Sequence, residues 1–463
     1  MTQRYRSFLT VFFAATFMVT AGGCRKLLQV PTPQDEISAG EVFSSDSNAL
    51  SALSGMYIQI MNNPQSLLNG GMTLYGGLSS DELNNTVANP SIDAFRTDSL
   101  TAANLLCSNL YTGAYNTIYT ANSMLVGLQG ASGVSADMRS EMQGEAEFVR
   151  ALVYFYLVNL YGKVPLVITT DFTVSSVQPR APVADVYSQI VADLRDAEGR
   201  LSVPYISASA YPGARTRPNQ AAATALLARV WLYEGQWDSA ELAADIVIAN
   251  PLYQLVTDLN QVFLASSPEA IWQLQPVYGN LATAEGNLFI PRNGAKPGYS
   301  LTPELLASWE PGDLRRAAWT DSVVNEAAYV YPYKYKEASN NPPNSEYEIV
   351  LRLAEMYLIR AEARVRQGNT VGAAGDLNIV RQRAGLAPTV ATDEASLLTA
   401  ILHEWQIEFF AEWGHRWLDL KRTGEATMVL GAEKPGWDST AALYPIPANE
   451  LTENPTLVQN PGY

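Results

Sequence analysis

ALLARVWLYEGQWDSAELAADIVI, residues 225–248, sets the architecture. Ala228 stands seven residues before Gly235 and Ala240 five after it, and apolar side chains recur at helical spacing on both sides. A second stretch, YLIRAEARVRQGNTVGAAGDLNIV (residues 357–380), repeats those offsets with Ala361, Gly368 and Ala373. Each stretch predicts two helices joined by a tight turn at glycine, with small alanines where the helices approach. This is the spacing of tetratricopeptide-like hairpins, which stack to bury a shared apolar face.

Outward from these hairpins, further helical periods cover residues 41–61, 104–128, 138–161 and 184–201. The chain is therefore expected to be mostly α, with helices at about 41–61, 104–128, 138–161, 184–249 and 347–423. Between them run stretches rich in Gly, Pro, Asn and Ser, chiefly 62–101 and 251–344. Segments of that length inside a compact body usually carry function, and their Tyr and Trp content favours a ligand site. AIWQLQP (270–276) alternates partly and gives a weak strand signal.

The N-terminus reads as an export signal. Arg4 and Arg6 precede an apolar run over residues 8–19, shorter than the roughly 20 residues that span a bilayer as a helix. Ala21, Gly22 and Gly23 then lead into Cys24, the pattern required for cleavage before a lipid-modified cysteine. Residues 1–23 are expected to be the signal peptide, Cys24 the lipidation site, 24–36 a tether with two prolines, and 37–463 a single domain. The other cysteine, Cys107, lies in NLLCSNLY and reads as a small buried side chain.

Loss of Arg4 and Arg6 leaves 28 basic against 46 acidic side chains, a net charge of −18. Nucleic acid and anionic lipid are poor partners for such a chain. Charged residues make up only 16% and aromatics 10%, a surface suited to an uncharged, hydroxyl-rich ligand.

Catalytic and metal chemistries find little support. In HEWQIEFFAEWGHRWLDLKR (403–422), Glu404, Glu408 and Glu412 recur every four residues, which predicts three carboxylates on one helical face. Trp405, Phe409 and Trp413 share the period, and Arg416, Lys421 and Arg422 offer partners, so an ion-pair network is favoured over catalysis. His403-Glu404 begins like a zinc motif, but residue 407 is isoleucine and His415 is the only other histidine. There is no G-x-S-x-G elbow, and LNGGMTLYGGLSS lacks the lysine of a phosphate-binding loop. No catalytic residue, metal or cofactor is expected. A glycosidase would need paired acids in the loops, such as Asp81 with a distant glutamate.

A sugar surface needs aromatic faces for pyranose rings and Asn, Asp or Arg groups for hydroxyl pairs. LYGGLSSDELNNTVANPSIDAFR supplies Tyr75, Asp81, Asn84, Asn85, Phe95 and Arg96 as ligand candidates. Trp309, Asp313, Arg315 and Trp319 are expected to be structural.

The chain resembles the SusD/RagB family of nutrient-binding outer-membrane lipoproteins. The resemblance is carried by EAEFVRALVYFYLVNLYGKVPLV (145–167), APVADVYSQIVADLRDAE (181–198), RPNQAAATALLARVWLYEGQWDSA (217–240) and LRLAEMYLIRAEARVRQGN (351–369). It continues through DLNIVRQRAG, EFFAEWGHRWLDLKRTG (408–424) and LYPIPANELTENPTLVQNPGY (443–463). Glu404-Trp405 stands where the family has a Glu-Arg pair, so packing is expected to replace one ion pair. The resemblance implies a superhelix of tetratricopeptide-like hairpins packed against an irregular, loop-rich region with a few short strands. It implies a lipid-anchored protein of the outer membrane facing the cell exterior, partnered by a SusC-type TonB-dependent porin. The implied ligand is an oligosaccharide, with peptide capture or a non-binding scaffold as the alternatives. The resemblance also implies ligand contacts in the later loop, which adds Tyr278 to the ligand candidates.

Overall fold

The computed structural model describes residues 39–206, 215–277, 282–339 and 345–463. The lipidation candidate Cys24 and the ligand candidate Tyr278 lie outside the described residues. The body is mostly helical, with eight short strands among the described residues, and its hydrophobic core runs from Ala49 to Ile446 as one cluster. A chain from Ile37 onward therefore carries the whole core.

The principal helices are α1 (Asp46–Met61), α2 (Gly71–Ser79), α3 (Pro90–Arg96), α4 (Leu105–Leu128), α5 (Ala136–Tyr161) and α6 (Val183–Arg200). They continue with α7 (Gln220–Tyr233), α8 (Trp237–Ile248), α9 (Leu353–Arg366), α10 (Thr370–Arg383), α11 (Glu394–Glu408) and α12 (His415–Arg422). From α4 to α11 each helix packs on the next in order, the nearest-neighbour pattern of a solenoid. Asn104, Asn219 and Asp393 cap α4, α7 and α11 by accepting backbone N–H bonds, which satisfies donors each helix would otherwise leave open.

Both hairpins form as their spacing predicts. Gly235 and Gly368 take φ of +69° and +79°, values that favour glycine, and Ala228, Ala240, Ala361 and Ala373 are fully buried. Although about a hundred residues separate them, α8 and α9 are packed neighbours. The intervening segment can leave and return at one point because β4 (Ala270–Leu274) and β8 (Glu348–Arg352) pair antiparallel. The weak strand signal at 270–276 was therefore real.

Several boundaries differ from expectation. The stretch 62–101 is not a plain loop; it holds α2, α3 and β1 (Leu83–Asn85). α2 escaped notice because it has no apolar period: every one of its residues is buried, glycines included. A Cβ on Gly76 would lie 2.8 Å from Gly414 Cα, so glycine lets α2 and the start of α12 touch backbone to backbone.

The three-glutamate helix also ends early, at Glu408. Ala411 and Trp413 adopt φ of +48° and +49°, turning the chain into α12. Glu404 and Glu408 share a helix, and Glu412 rejoins them from the turn. Their partners come from elsewhere in the fold than Arg416, Lys421 and Arg422. Arg315 Nη1 meets Glu404 at 2.6 Å and Glu408 at 2.9 Å, Arg352 Nε meets Glu412 at 2.9 Å, and Arg383 and Arg352 both bind Glu408. Burial opposes the Glu408 charge, but Arg383, Arg352 and Arg315 outweigh it and hold its carboxyl well below the usual range. Arg416 instead pairs with Asp81, Arg422 with Glu362 and Asp419, and the Lys421 ammonium donates to the Asn159 carbonyl. Trp405 is buried against Phe409, as packing in place of an ion pair requires. Trp309 and Trp319 are buried too, and Asp313 both caps the helix Leu314–Trp319 and pairs with Arg315 at 2.7 Å. Among the described residues, no helix is long and apolar enough to cross a membrane.

Candidate functional site

The two segments expected to carry the ligand site, 62–101 and 251–344, meet in space. β1 pairs antiparallel with β5 (Tyr299–Leu301), matching Leu83 with Leu301 and Asn85 with Tyr299. Thr73 Oγ1 donates to Glu285 Oε1 at 2.6 Å, and the Asp81 carbonyl accepts from Thr302 Oγ1 at 2.5 Å. Gly70 sits so close to Ala284 that a Cβ there would lie 2.7 Å from the alanine methyl.

The seven candidates divide into those sealed inside the joint, those at its surface, and Tyr278 beyond the description. Tyr75 is 2% exposed and Phe95 1%; their rings stack at 4.4 Å, and the Tyr75 hydroxyl donates to Gln65 Oε1 at 3.0 Å. Asp81 is 3% exposed and held in a two-point pair with Arg416 at 2.8 and 2.6 Å. These three are therefore internal side chains of the joint. The expectation that they contact ligand directly is corrected by their burial, since a ring with no free face cannot stack on a sugar.

Asn84, Asn85 and Arg96 are half-buried at the surface. Arg96 Nε donates to Asn84 Oδ1 at 3.0 Å, while the terminal guanidinium nitrogens and Asn84 Nδ2 have no partner among the described residues. Asn85 Nδ2 donates to Asp93 Oδ1 at 2.7 Å, fixing the neighbouring amide. The result is a set of unused donors where the end of α3 meets β1, a grouping chemically able to bond adjacent hydroxyl oxygens.

Against α1 runs a crevice that the sequence did not signal. One part, of about 250 Å³, is bordered by Tyr57, Ile58, Met61, Arg217 and Val277; a shallower part beyond Met61 is bordered by Gln65 and Asn287. Its floor is fixed by burial: Tyr57 Oη donates to Glu145 Oε2 at 2.6 Å, and Arg217 Nε donates to the other carboxylate oxygen at 2.7 Å. Gln65 adopts φ of +66°, a strained conformation for a side-chain-bearing residue, at the point where the crevice turns toward Tyr75. Only tertiary structure could reveal it, because α1 and the 275–288 region are more than two hundred residues apart.

The acids near the site are buried, and each is engaged with a neighbouring side chain. Glu285 and Glu348 are adjacent but buried; burial first, and Glu285 second, push the Glu348 carboxyl well above the usual range. Asp81 is committed to Arg416. His415 is buried, and that burial pushes its imidazole well below its ordinary value. Among the described residues, no three His, Cys, Asp or Glu side chains are grouped to hold a metal ion.

Residues 317–463 match the SusD family, and residues 55–232 match the family described as starch-binding and associating with the outer membrane. The chain belongs to the SusD/RagB family. Among relatives within it, SusD-like protein P38 of Formosa agariphila is 27% identical over 384 residues, covering 69% of this chain and 73% of that one. The starch-binding protein SusD of Bacteroides thetaiotaomicron is 25% identical over 420 residues, covering 69% and 72%. Among solved structures, a SusD superfamily protein of Bacteroides vulgatus superposes with a TM-score of 0.79 at 22% identity, covering 90% of this chain and 99% of that one. A laminarin-binding SusD-like protein superposes with a TM-score of 0.77 at 25% identity, covering 90% and 100%. The SusD-family fold is thus the helical superhelix with its loop-rich layer described above.

Proposed function

We propose that this protein is a lipoprotein of the outer-membrane surface that captures neutral oligosaccharides and delivers them to a SusC-type TonB-dependent porin without chemically altering them. The observation that carries the reading is the Arg96–Asn84 pair, whose unused donors stand at the surface where the end of α3 meets β1. Relatives whose names record starch and laminarin binding support the ligand class. The signal-like N-terminus with Cys24 supports the anchor, and the net charge of −18 disfavours acidic glycans. Buried, ion-paired or mutually hydrogen-bonded acids support binding without turnover.

The test is calorimetric titration of the chain from Ile37 onward with neutral, acidic and host-type oligosaccharides and a peptide digest. Saturable binding of a neutral glycan that is recovered intact, and weakened by Arg96→Ala, is the expected result. Binding of peptides alone, or release of shortened sugars, would sink the proposal. Co-purification of the anchored protein with a TonB-dependent porin, lost on Cys24→Ser, tests the delivery step.

A further inference from the structure

On the far side of α4 from the pocket at Gly113 and Thr117, a second groove of about 280 Å³ shares no lining residue with the crevice above. Tyr111, Tyr115 and Tyr119 follow one another at intervals of four along α4 and all line it. Such spacing stacks side chains on one helical face, roughly 6 Å apart along the axis. The rings descend from the surface inward: Tyr119 is 58% exposed, Tyr115 half-buried and Tyr111 1% exposed. Phe172, 77% exposed, forms the facing wall, and Glu450 and Asn454 close the end.

The walls are built rather than incidental. Tyr115 Oη donates to the Pro165 carbonyl at 2.8 Å, and Asn122 Nδ2 donates to the Val167 carbonyl at 3.0 Å, tying the 165–169 segment to α4. Asn454 Nδ2 donates to the Gln178 carbonyl at 2.9 Å, tying the C-terminal segment to the same wall. At the floor, the Tyr111 hydroxyl lies beside that of Tyr115 but completes no hydrogen bond with a described residue. A buried hydroxyl left open in this way is costly unless a ligand or water engages it.

Resting on the glycan-capture reading, we propose that this groove is a second binding site, taking a few pyranose units at the end of an uncharged oligosaccharide. Tyr119 and Phe172 supply stacking faces; the Tyr111 hydroxyl and the Glu450 carboxylate bond to sugar hydroxyls at the closed end. No lysine or arginine lines the groove, and Glu450 and Glu453 both do, so anionic ligands are disfavoured. The two exposed rings, Tyr119 and Phe172, offer stacking faces with half-buried Tyr115 beside them, enough for a short run of sugar rings; an aromatic box for a quaternary ammonium needs faces converging from several sides. With two sites on one molecule, a long glycan could be held at two points, raising its effective affinity.

The experiment titrates the chain from Ile37 onward with neutral gluco-, manno-, xylo- and galacto-hexaoses, comparing wild type with Arg96→Ala, Tyr119→Ala and Phe172→Ala. The last two positions are exposed, so their truncation spares the core; circular dichroism and thermal melting verify this. Two binding events are expected in wild type, one weakened by Arg96→Ala and the other, roughly tenfold, by Tyr119→Ala or Phe172→Ala. Tyr111→Phe, which removes only the hydroxyl, is expected to weaken that second event alone. A single event abolished by Arg96→Ala and indifferent to the groove variants overturns the second site while leaving the first. Silence of wild type across the panel overturns both. Saturable binding of tetramethylammonium, or loss of porin co-purification in Phe172→Ala with sugar binding unchanged, reassigns the groove to a cation or to a protein partner.

Discussion

Arg229 on α7 and Glu355 on α9 form a two-point ion pair, Nε to Oε1 at 2.5 Å and Nη2 to Oε2 at 2.7 Å, with both side chains buried. It joins helices from hairpins separated by the long inserted segment, and Arg229 Nη2 also donates to the Val350 carbonyl on β8 at 3.2 Å. The pair therefore fixes the superhelix and the returning strand together.

Removing one partner strands a buried charge. Glu355→Ala is expected to destabilise the protein by about 3–5 kcal/mol, whereas the paired replacement Arg229→Met with Glu355→Leu should recover most of that loss. Urea midpoints of the three proteins check it; equal losses in the single and double variants would refute a charge-burial origin.

The backbone contact between α2 and α12 predicts opposite outcomes at two glycines. Gly76→Ala pushes a methyl to within 2.8 Å of Gly414 Cα, with an expected cost of about 1–3 kcal/mol. Gly55→Ala, in α1 with nothing within 4 Å, is expected to stabilise by about 0.5–1 kcal/mol through helix propensity. Thermal melts of both variants are sufficient to test the contrast.

Tyr75→Ala separates scaffold from contact. The ring is buried and stacked on Phe95, so truncation should cost about 3–5 kcal/mol of stability. Arg96→Ala, at the half-exposed edge, should leave the unfolding midpoint within about 0.5 kcal/mol while weakening ligand binding. Comparing melting temperature with calorimetric affinity for both variants distinguishes the roles; unchanged stability in Tyr75→Ala would reopen direct stacking on ligand.

Glu82 predicts a pH dependence. Burial first, and the neighbouring Asp81 second, push its carboxyl from 4.5 up to about 8. Its Oε2 accepts from the Ala411 N–H at 3.3 Å, while Oε1 has no hydrogen-bond partner among the described residues. Between those two values the folded chain keeps a proton the unfolded chain has released, so this group lowers stability as pH rises through the window. Glu82→Gln should therefore improve on wild type by an amount that grows from pH 5 to pH 8, at most about 1.4 kcal/mol per pH unit. Denaturation at pH 5, 6.5 and 8 measures it, and a difference constant across the three would contradict the shift.

The sequence by itself determined the helical hairpins, because the alanine and glycine positions in 225–248 and 357–380 state which residues must be small and which must turn. It also favoured ion pairing for Glu404 and Glu408, and both are ion-paired, though with Arg315, Arg352 and Arg383 rather than with Arg416, Lys421 and Arg422. It singled out two distant segments, 62–101 and 251–344, that the fold brings into contact, but could not say which of their side chains face outward.

Tertiary structure alone decided that, for physical reasons visible at particular residues. α2 has no apolar period because it is enclosed on all sides, so nothing in LNGGMTLYGGLSS distinguishes a buried helix from a glycine-rich loop. Tyr75 and Phe95 carry the composition of a sugar platform, yet they stack on each other in the core while Asn84 and Arg96 stay at the surface. Arg315, Arg352 and Arg383 lie 25 to 93 residues upstream of the glutamates they pair with, where local spacing carries no information. The crevice at Met61 and Val277 exists only because β4 and β8 return the inserted segment to the superhelix, a long-range closure that no local pattern encodes.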